Sequence, residues 1–226
     1  VFSFAQNTDG FTLLFQEEEP LKIKLKYSNK EMNKKTNDST FIETQLSYED
    51  AGVWKDVDVR LRARGNFRRN TCYWPPVKVK IKKSAAAGTV FEGNKSLKLV
   101  LPCMMEPDKN DNIMKEYMAY KLYEQISPYH FNARRVDIDF TEVRGRKEKS
   151  HQIKGFLIED DDIVAKRFEG KVVDGCTLTF KQIEEKEMKA DPELMKKYKV
   201  DGFPTYFCEM NGKHETFNSI EKSDML

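Results

Sequence analysis

The chain has 226 residues, of which 39% are hydrophobic and 34% are charged, and its formal net charge is +2. This composition is typical of a folded globular protein and argues against a disordered chain, and no apolar run is long enough to predict a membrane span. The length is compatible with one domain or with two. The small net charge hides a basic segment, because residues 59–91 contain nine arginines or lysines and no acidic residue.

The first five residues resemble the end of a secretory signal peptide. Ser3 and Ala5 are small residues at the spacing of a cleavage site, which predicts export and cleavage after Ala5. The alternative is an ordinary apolar start to a strand. Export would permit disulfides, and the four cysteines include no C-x-x-C pair. A Cys72–Cys103 bridge and a pair of buried thiols both fit the sequence.

Alternating apolar and polar residues predict a series of strands, at residues 21–27, 41–48, 57–63, 77–81 and 97–101. One long helix is predicted over 112–126, with Asp111 as its N-cap and Ser127-Pro128 as its end. Strand spacing returns at 136–140 and 153–158. Strands followed by one helix and two more strands predict an α+β fold.

Arg64, Gly65 and Asn66 stand at the bend between two basic strands. The outward residues of these strands are Arg60, Arg62 and Arg64 on the first and Lys78, Lys80 and Lys82 on the second. Glycine lets the backbone approach a ligand, and arginine with backbone N–H groups binds phosphate. The segment therefore predicts an anion site, with a solvated strand face as the alternative.

Several segments, in order, resemble the CotH family of atypical secreted protein kinases. They are RARGNFRRNTCYWPPVKVKIKK, FEGNKSLKLVLPC, NIMKEYMAYKLYEQIS and KGFLIEDDD, and the resemblance covers roughly residues 21–169. It implies a kinase N-lobe-like antiparallel sheet with one long helix, followed by a hinge. It also implies ATP and Mg²⁺ as cofactors, and phosphoryl transfer to a protein acceptor.

The resemblance implies a phosphate-binding role for residues at the matching positions. Arg64, Gly65 and Asn66 match the family's R-G-N turn, which would cover the nucleotide phosphates. Lys98 would be the lysine that pairs with phosphate, and Lys80 is the rival candidate. The alternative for both lysines is an exposed position on a strand.

The resemblance also implies roles for acidic residues. Glu116 on the helix would orient the lysine, as a helix carboxylate does in protein kinases. Glu159 would offer backbone groups to adenine at the hinge, and Asp160 or Asp161 would reach the ribose hydroxyls. The alternatives are a solvated helix residue at 116 and a polar turn at 159–162.

The acids that hold Mg²⁺ and position the nucleophile in kinases lie well past the hinge. Residues 170–226 are too few for that lobe and contain no catalytic-loop pattern. The sequence therefore assigns no catalytic residue and no metal ligand. A non-catalytic exported interaction module is the alternative to an active CotH-like protein.

Residues 177–226 resemble the C-terminal half of thioredoxin, through DPELMKKYKVDGFPTYFCEMNGK. The resemblance implies a helix at 191–198, a cis peptide before Pro204 and a hairpin whose turn is Asn211-Gly212. No C-x-x-C accompanies it, so no redox role is predicted. The predicted organisation is a signal-peptide remnant at 1–5, a CotH-like domain at 6–170 and a partial thioredoxin-like segment at 171–226.

The basic strands are interleaved with Phe67, Tyr73 and Trp74, a combination that can bind single-stranded nucleic acid. Export argues against that function, and such aromatics are as often part of a core. The predicted partner is therefore a protein substrate or a surface partner rather than nucleic acid.

Overall fold

The structure, a computed structural model, describes residues 12–65, 67–104, 109–170, 172, 205–210 and 213–218. The chain divides into two compact units, Val1–Glu169 and Gly170–Leu226. Among the described residues, no helix is both long enough and apolar enough to cross a membrane.

The first unit contains seven strands: β1 (Leu21–Tyr27), β2 (Ile42–Asp50), β3 (Val53–Ala63), β4 (Val77–Ile81), β5 (Ser96–Val100), β6 (Ala133–Arg144) and β7 (Lys147–Glu159). Its described helices are α1 (Leu13–Gln16), α2 (Asn29–Lys35), α3 (Phe67–Thr71), α4 (Lys83–Ala86), α5 (Lys109–Ile126) and α6 (Asp161–Arg167).

The seven strands form a closed barrel in the order β1-β2-β3-β4-β5-β7-β6. Neighbours are antiparallel except at the closure, where β1 pairs in parallel with β6 from Leu21↔Val136 to Tyr27↔Glu142. The predicted fold class is therefore wrong: the first unit is not an α+β, kinase N-lobe-like antiparallel sheet. The error has a physical cause, because alternation shows which face of a strand is buried but not which strand pairs with its second edge.

The barrel interior is filled by the inward residues of all seven strands. In β1 every second residue is buried, as the alternation predicted, and the charged residues between them point outward. The fully buried interior side chains include Ile23, Leu46, Tyr48, Leu61, Leu97, Leu99, Ile138 and Leu157. Burying a side chain of this size stabilises the fold by about 1.5–3 kcal/mol, so this core is the main source of stability.

Helix α5 packs outside the barrel, against β5, β6 and β7. It begins at Lys109, so Asp111 lies inside the helix and is not its N-cap, and it ends at Ile126 as predicted. Tyr117 and Tyr120 contact Phe156, with ring centroids 5.9 and 5.7 Å apart. Met118 and Leu122 are exposed, because the convex barrel surface touches only one side of the helix.

A connection between β3 and β4 carries α3 and closes with a hydrogen bond from Arg64 N to Pro76 O of 2.8 Å. Cys72 forms a disulfide with Cys103, so the structure selects the bridge from the two states that the sequence left open. Trp74 is buried in the barrel core. These contacts hold the segment after Arg64 against the barrel.

In the second unit, β8 (Thr205–Met210) and β9 (Lys213–Asn218) pair antiparallel, with Met210 opposite Lys213. The predicted turn residues Asn211 and Gly212 lie outside the described residues. Pro204 and the predicted helix at 191–198 also lie outside them.

Candidate functional site

The outer face of β3, β4 and β5 carries a row of three cations. Arg62 lies opposite Lys78, and Lys78 lies opposite Lys98, on hydrogen-bonded neighbouring strands. Like charges that face each other across strands repel, so such a row needs counter-charges. Each cation is paired with an aspartate, in the pairs Arg62–Asp38, Lys78–Asp160 and Lys98–Asp161.

Lys98 is the most buried of these cations, with 9% of its side chain exposed. Its ammonium lies 5.1 Å from the centroid of the Phe131 ring and contacts the carboxylate of Asp161, which is half-exposed. A lysine this buried needs a charge partner, because an isolated ammonium loses its hydration. Asp161 and the Phe131 ring supply that compensation.

Asp160 combines two roles at the start of α6. It is the N-cap of this helix, where its carboxylate accepts a hydrogen bond from Asp161 N of 3.2 Å, and it forms a 2.8 Å ion pair with Lys78. Burial alone would raise the pKa of Asp160, but the hydrogen bond from Lys78 and the charges of Lys78 and Lys98 outweigh burial and lower the pKa. The carboxylate is therefore held in its charged form.

Arg64 directly follows the end of β3. Burial lowers the pKa of its guanidinium, and the charges of Asp161 and Asp160 oppose this shift. Gly65 follows with φ +81°, and a Cβ there would meet no atom within 4 Å. Glycine is therefore favoured by the backbone conformation rather than by lack of space. Asn66 lies outside the described residues.

Lys80 and Glu116 lie elsewhere. Lys80 is opposite Arg60, and its ammonium is 5.0 Å from the centroid of the Phe41 ring. Glu116 pairs with Arg68 at 3.6 Å, whereas Lys98 pairs with an aspartate. Lys98, rather than Lys80, therefore contacts one of the aspartates whose charges act on Arg64. Glu116 is paired with Arg68 and does not orient Lys98.

Glu159, at the end of β7, links this strand to Asn132 and to Arg167 of α6. Its buried carboxylate accepts hydrogen bonds from Asn132 N at 2.7 Å and Asn132 Nδ2 at 3.0 Å, and it also pairs with Arg167. The backbone N–H of Glu159 donates to Asn132 O at 3.2 Å. Because this N–H is already bonded within the protein, the residue does not present it as a hinge would.

The sequence prediction missed Lys78 as a site residue, although its outward position was recognisable from alternation. It also missed two aromatic rings, Phe131 and Tyr120. Burial raises the pKa of Tyr120, the charge of Glu116 adds to the rise, and the charge of Arg64 opposes it. No local pattern marks either ring as a site residue, because Phe131 lies in a loop and Tyr120 is one of several tyrosines in α5.

The candidate site takes Lys78 and Lys98 from the row and adds Arg64, which gives three cations for an anionic ligand. Within the part of the chain that the structure describes, no three His, Cys, Asp or Glu side chains are grouped as a metal site. Asp160 and Asp161 are neighbours in the sequence, and each carboxylate is paired with a lysine. Mg²⁺ is commonly held by one or two carboxylates together with substrate phosphates, so these two residues would be free to hold it only if a phosphorylated ligand took over their lysine partners.

No protein-family model matches this chain, and no curated protein matches it.

Proposed function

We propose that this protein binds a phosphorylated ligand of the nucleotide type through Arg64, Lys78 and Lys98. The observation that carries the proposal is that Lys78 and Lys98, on neighbouring strands, pair with the consecutive residues Asp160 and Asp161, with Lys98 also beside the Phe131 ring. The charges of the same two aspartates also act on Arg64. The resemblance to CotH kinases supports ATP with Mg²⁺ as the ligand. It also supports an exported location and a protein acceptor for phosphoryl transfer.

The proposed binding is an exchange of charge partners. Asp160 and Asp161 hold Lys78 and Lys98 in place, and each aspartate carries a single negative charge. A triphosphate carries several charges and more acceptor oxygens, so it can displace these carboxylates from the ammonium groups. Because the lysines are already positioned and partly desolvated, little conformational entropy is lost on binding.

Mg²⁺, when bound, would neutralise part of the phosphate charge. Asp160 and Asp161 are the residues that would hold it, since phosphate would take over their lysine partners. Phe131 and Tyr120 would give the base or ribose an aromatic surface.

A non-catalytic exported interaction module is the second candidate. The internal ion pairs favour it, because a surface whose cations are already neutralised needs no ligand. The Cys72–Cys103 disulfide supports export for both candidates, since disulfides persist in oxidising compartments.

The deciding experiment is isothermal titration of the whole chain with ATP, with and without Mg²⁺. Arg64→Ala should weaken binding by about 1.5–3 kcal/mol, the range for a hydrogen bond to a charged group. This loss corresponds to roughly 10- to 150-fold in Kd. Arg60→Ala is the matched control, because Arg60 is an exposed arginine within β3 that lies opposite Lys80.

Circular dichroism and thermal melting should change little in either variant. If a folded chain binds no ATP, the interaction module replaces the nucleotide proposal. If ATP binds equally well to Arg64→Ala and to the unmodified chain, the assignment of the phosphate site is wrong.

A further inference from the structure

The loop between α2 and β2 contains the triplet Asn37-Asp38-Ser39. An asparagine followed two residues later by serine or threonine, with no proline between them, is the acceptor sequence for N-glycosylation. The sequence contains one other triplet of this kind, and such triplets also arise by chance. The environment of each asparagine in the fold therefore decides which of the two can carry a glycan.

The side-chain oxygen of Asn37 is held by donors of its own loop. Its Oδ1 accepts hydrogen bonds from Ser39 N, Ser39 Oγ and Thr40 N, each at 2.9 Å. Because a backbone N–H can only donate, the atom that it contacts must be the amide oxygen, which fixes the orientation of the amide. Nδ2 of Asn37 hydrogen-bonds to no residue in the described part of the chain. This nitrogen is the atom to which an N-linked glycan is attached.

The whole triplet is exposed. Asn37, Asp38 and Ser39 lie outside helices and strands, and the Asp38 side chain is 95% exposed although its carboxylate pairs with Arg62. An N-linked glycan is bulky and solvated, so it needs such a surface position. Its attachment would replace one N–H of Asn37 and would break none of the hydrogen bonds that the described residues make.

The other triplet, Asn94-Lys95-Ser96, has the opposite environment. Asn94 is 1% exposed, and its Nδ2 donates to Thr12 Oγ1 at 2.8 Å and to Glu92 O at 3.4 Å. A glycan on this nitrogen would disrupt these hydrogen bonds and would have to lie inside the fold. Asn94 therefore has a structural role, and only the first triplet presents a free amide nitrogen to solvent.

We propose that Asn37 is an N-glycosylation site. In the reaction, Nδ2 forms a bond with C1 of an oligosaccharide linked to a polyprenyl diphosphate and loses one proton. The bond between C1 and the diphosphate oxygen breaks, and the polyprenyl diphosphate leaves with its electrons. The inference rests on the exported location proposed above, which the Cys72–Cys103 disulfide supports, because N-linked glycans are carried by secreted proteins.

The competing interpretation is a loop in which Asn37 has only a structural role. Asparagine oxygens commonly accept from the backbone N–H two residues later, so this hydrogen bond alone does not distinguish the two interpretations. They differ in the role of Ser39. A turn held by backbone N–H groups needs no hydroxyl at this position, whereas the acceptor sequence for glycosylation requires one.

The test is expression of the whole chain in cultured animal cells behind a cleavable secretory signal peptide, so that the result does not depend on the chain's own leader. Secreted and cell-retained chains are both run on gels before and after digestion with peptide N-glycosidase, which removes N-linked glycans and converts the asparagine to aspartate. We expect slow migration that digestion reverses. Mass spectrometry should find the conversion at Asn37 and not at Asn94.

Ser39→Ala should abolish the digestible form, because it removes the hydroxyl of the acceptor sequence. It leaves the two backbone hydrogen bonds to Asn37 Oδ1 in place. Ser39→Thr is the matched control and should keep the glycan, because it keeps a hydroxyl at the same position. Since Ser39 is exposed, the circular dichroism spectrum should be the same for both variants and for the unmodified chain.

The proposal is overturned if the unmodified chain carries no glycan on Asn37, or if Ser39→Ala keeps the glycan. A glycan on Asn94 of the folded chain would overturn the argument from burial. The test uses no ATP, so a chain that fails to bind ATP leaves this result unchanged. Absence of the glycan would in turn leave the nucleotide proposal standing.

Discussion

Replacing Asp160 by asparagine removes a buried negative charge while keeping the shape of the side chain and an oxygen that can cap α6. The Asp160 side chain is 7% exposed, and Lys78, its ion-pair partner at 2.8 Å, is 21% exposed. Breaking a buried pair by neutralising one member costs about 3–5 kcal/mol, because the other charge is left without compensation. Since Lys78 keeps some contact with water, we expect a loss of about 2–4 kcal/mol in the free energy of unfolding.

Asp50→Asn is the matched control for this change. Asp50 pairs with Lys55 at 2.5 Å, but both side chains are about half exposed, so the control should lose only about 0.2–1 kcal/mol. Urea denaturation of the two variants and the unmodified chain at pH 7 measures both effects. If Asp160→Asn is no more destabilising than Asp50→Asn, the ion pair with Lys78 is not a buried one in solution.

Acid provides a second test of the same reasoning. The folded-state pKa of Asp160 is lowered, so its contribution to stability is fully present above its unfolded pKa of about 3.9 and is lost as pH falls through the lower, folded value. The difference in stability between the unmodified chain and Asp160→Asn should therefore shrink as the pH is lowered from neutral towards about 3. A difference that stays constant over this range would refute the assignment of the effect to a charged carboxylate.

Three further changes test the barrel, the disulfide and the proposed anion site. Gly155→Ala would place a Cβ 2.6 Å from Val100 O, so the backbone must shift; we expect a loss of about 1–3 kcal/mol in urea denaturation. The double variant Cys72→Ser, Cys103→Ser opens a bridge between residues 31 apart and should lower the free energy of unfolding by about 2–4 kcal/mol; the unmodified chain should lose the same amount when it is reduced. Asp161→Asn removes a half-exposed competitor for phosphate, so ATP titrated without Mg²⁺ should bind about two- to fivefold more tightly, and weaker binding would contradict the exchange of partners.

Local pattern was sufficient to predict the strands and the side of each strand that is buried. Residues such as Ile23 and Leu61 alternate with charged neighbours, and both are buried in the barrel interior. The end of α5 was also predictable, because Ser127-Pro128 is a local stop signal, but its start at Lys109 was not, since Asp111 looked like an N-cap. These features depend on neighbours a few residues away, which a single sequence records directly.

Closure of the barrel was not predictable, because it depends on a parallel pairing between β1 and β6, which are more than a hundred residues apart. Alternation in Leu21–Tyr27 looks the same whether the second edge of the strand is paired or faces solvent. An open sheet and a closed barrel therefore share one local pattern, and the resemblance to a kinase N-lobe led to the open sheet.

The choice between Lys80 and Lys98 shows the same limit at the level of the site. Both lysines point outward from neighbouring strands and look equivalent in the sequence. They differ in the residues that contact them. The ammonium of Lys98 contacts Asp161 and the Phe131 ring, which come from later in the chain, whereas that of Lys80 is near the Phe41 ring. Burial by distant segments decides which cation belongs to a site.

The pairing of β5 with β7 connects the fold to the proposed site. Leu97 lies opposite Glu159, so the chain leaves β7 beside the start of β5 and brings its next two residues, Asp160 and Asp161, over the lysines of β4 and β5. A slip of one residue in this pairing would turn the side chains of β7 to the opposite face of the sheet. It would also expose the Glu159 carboxylate and bury a different carboxylate of the acidic residues 159–162. The register that fills the barrel core therefore also determines which carboxylates neutralise the cation row, and substitutions that disturb this register should weaken anion binding together with stability.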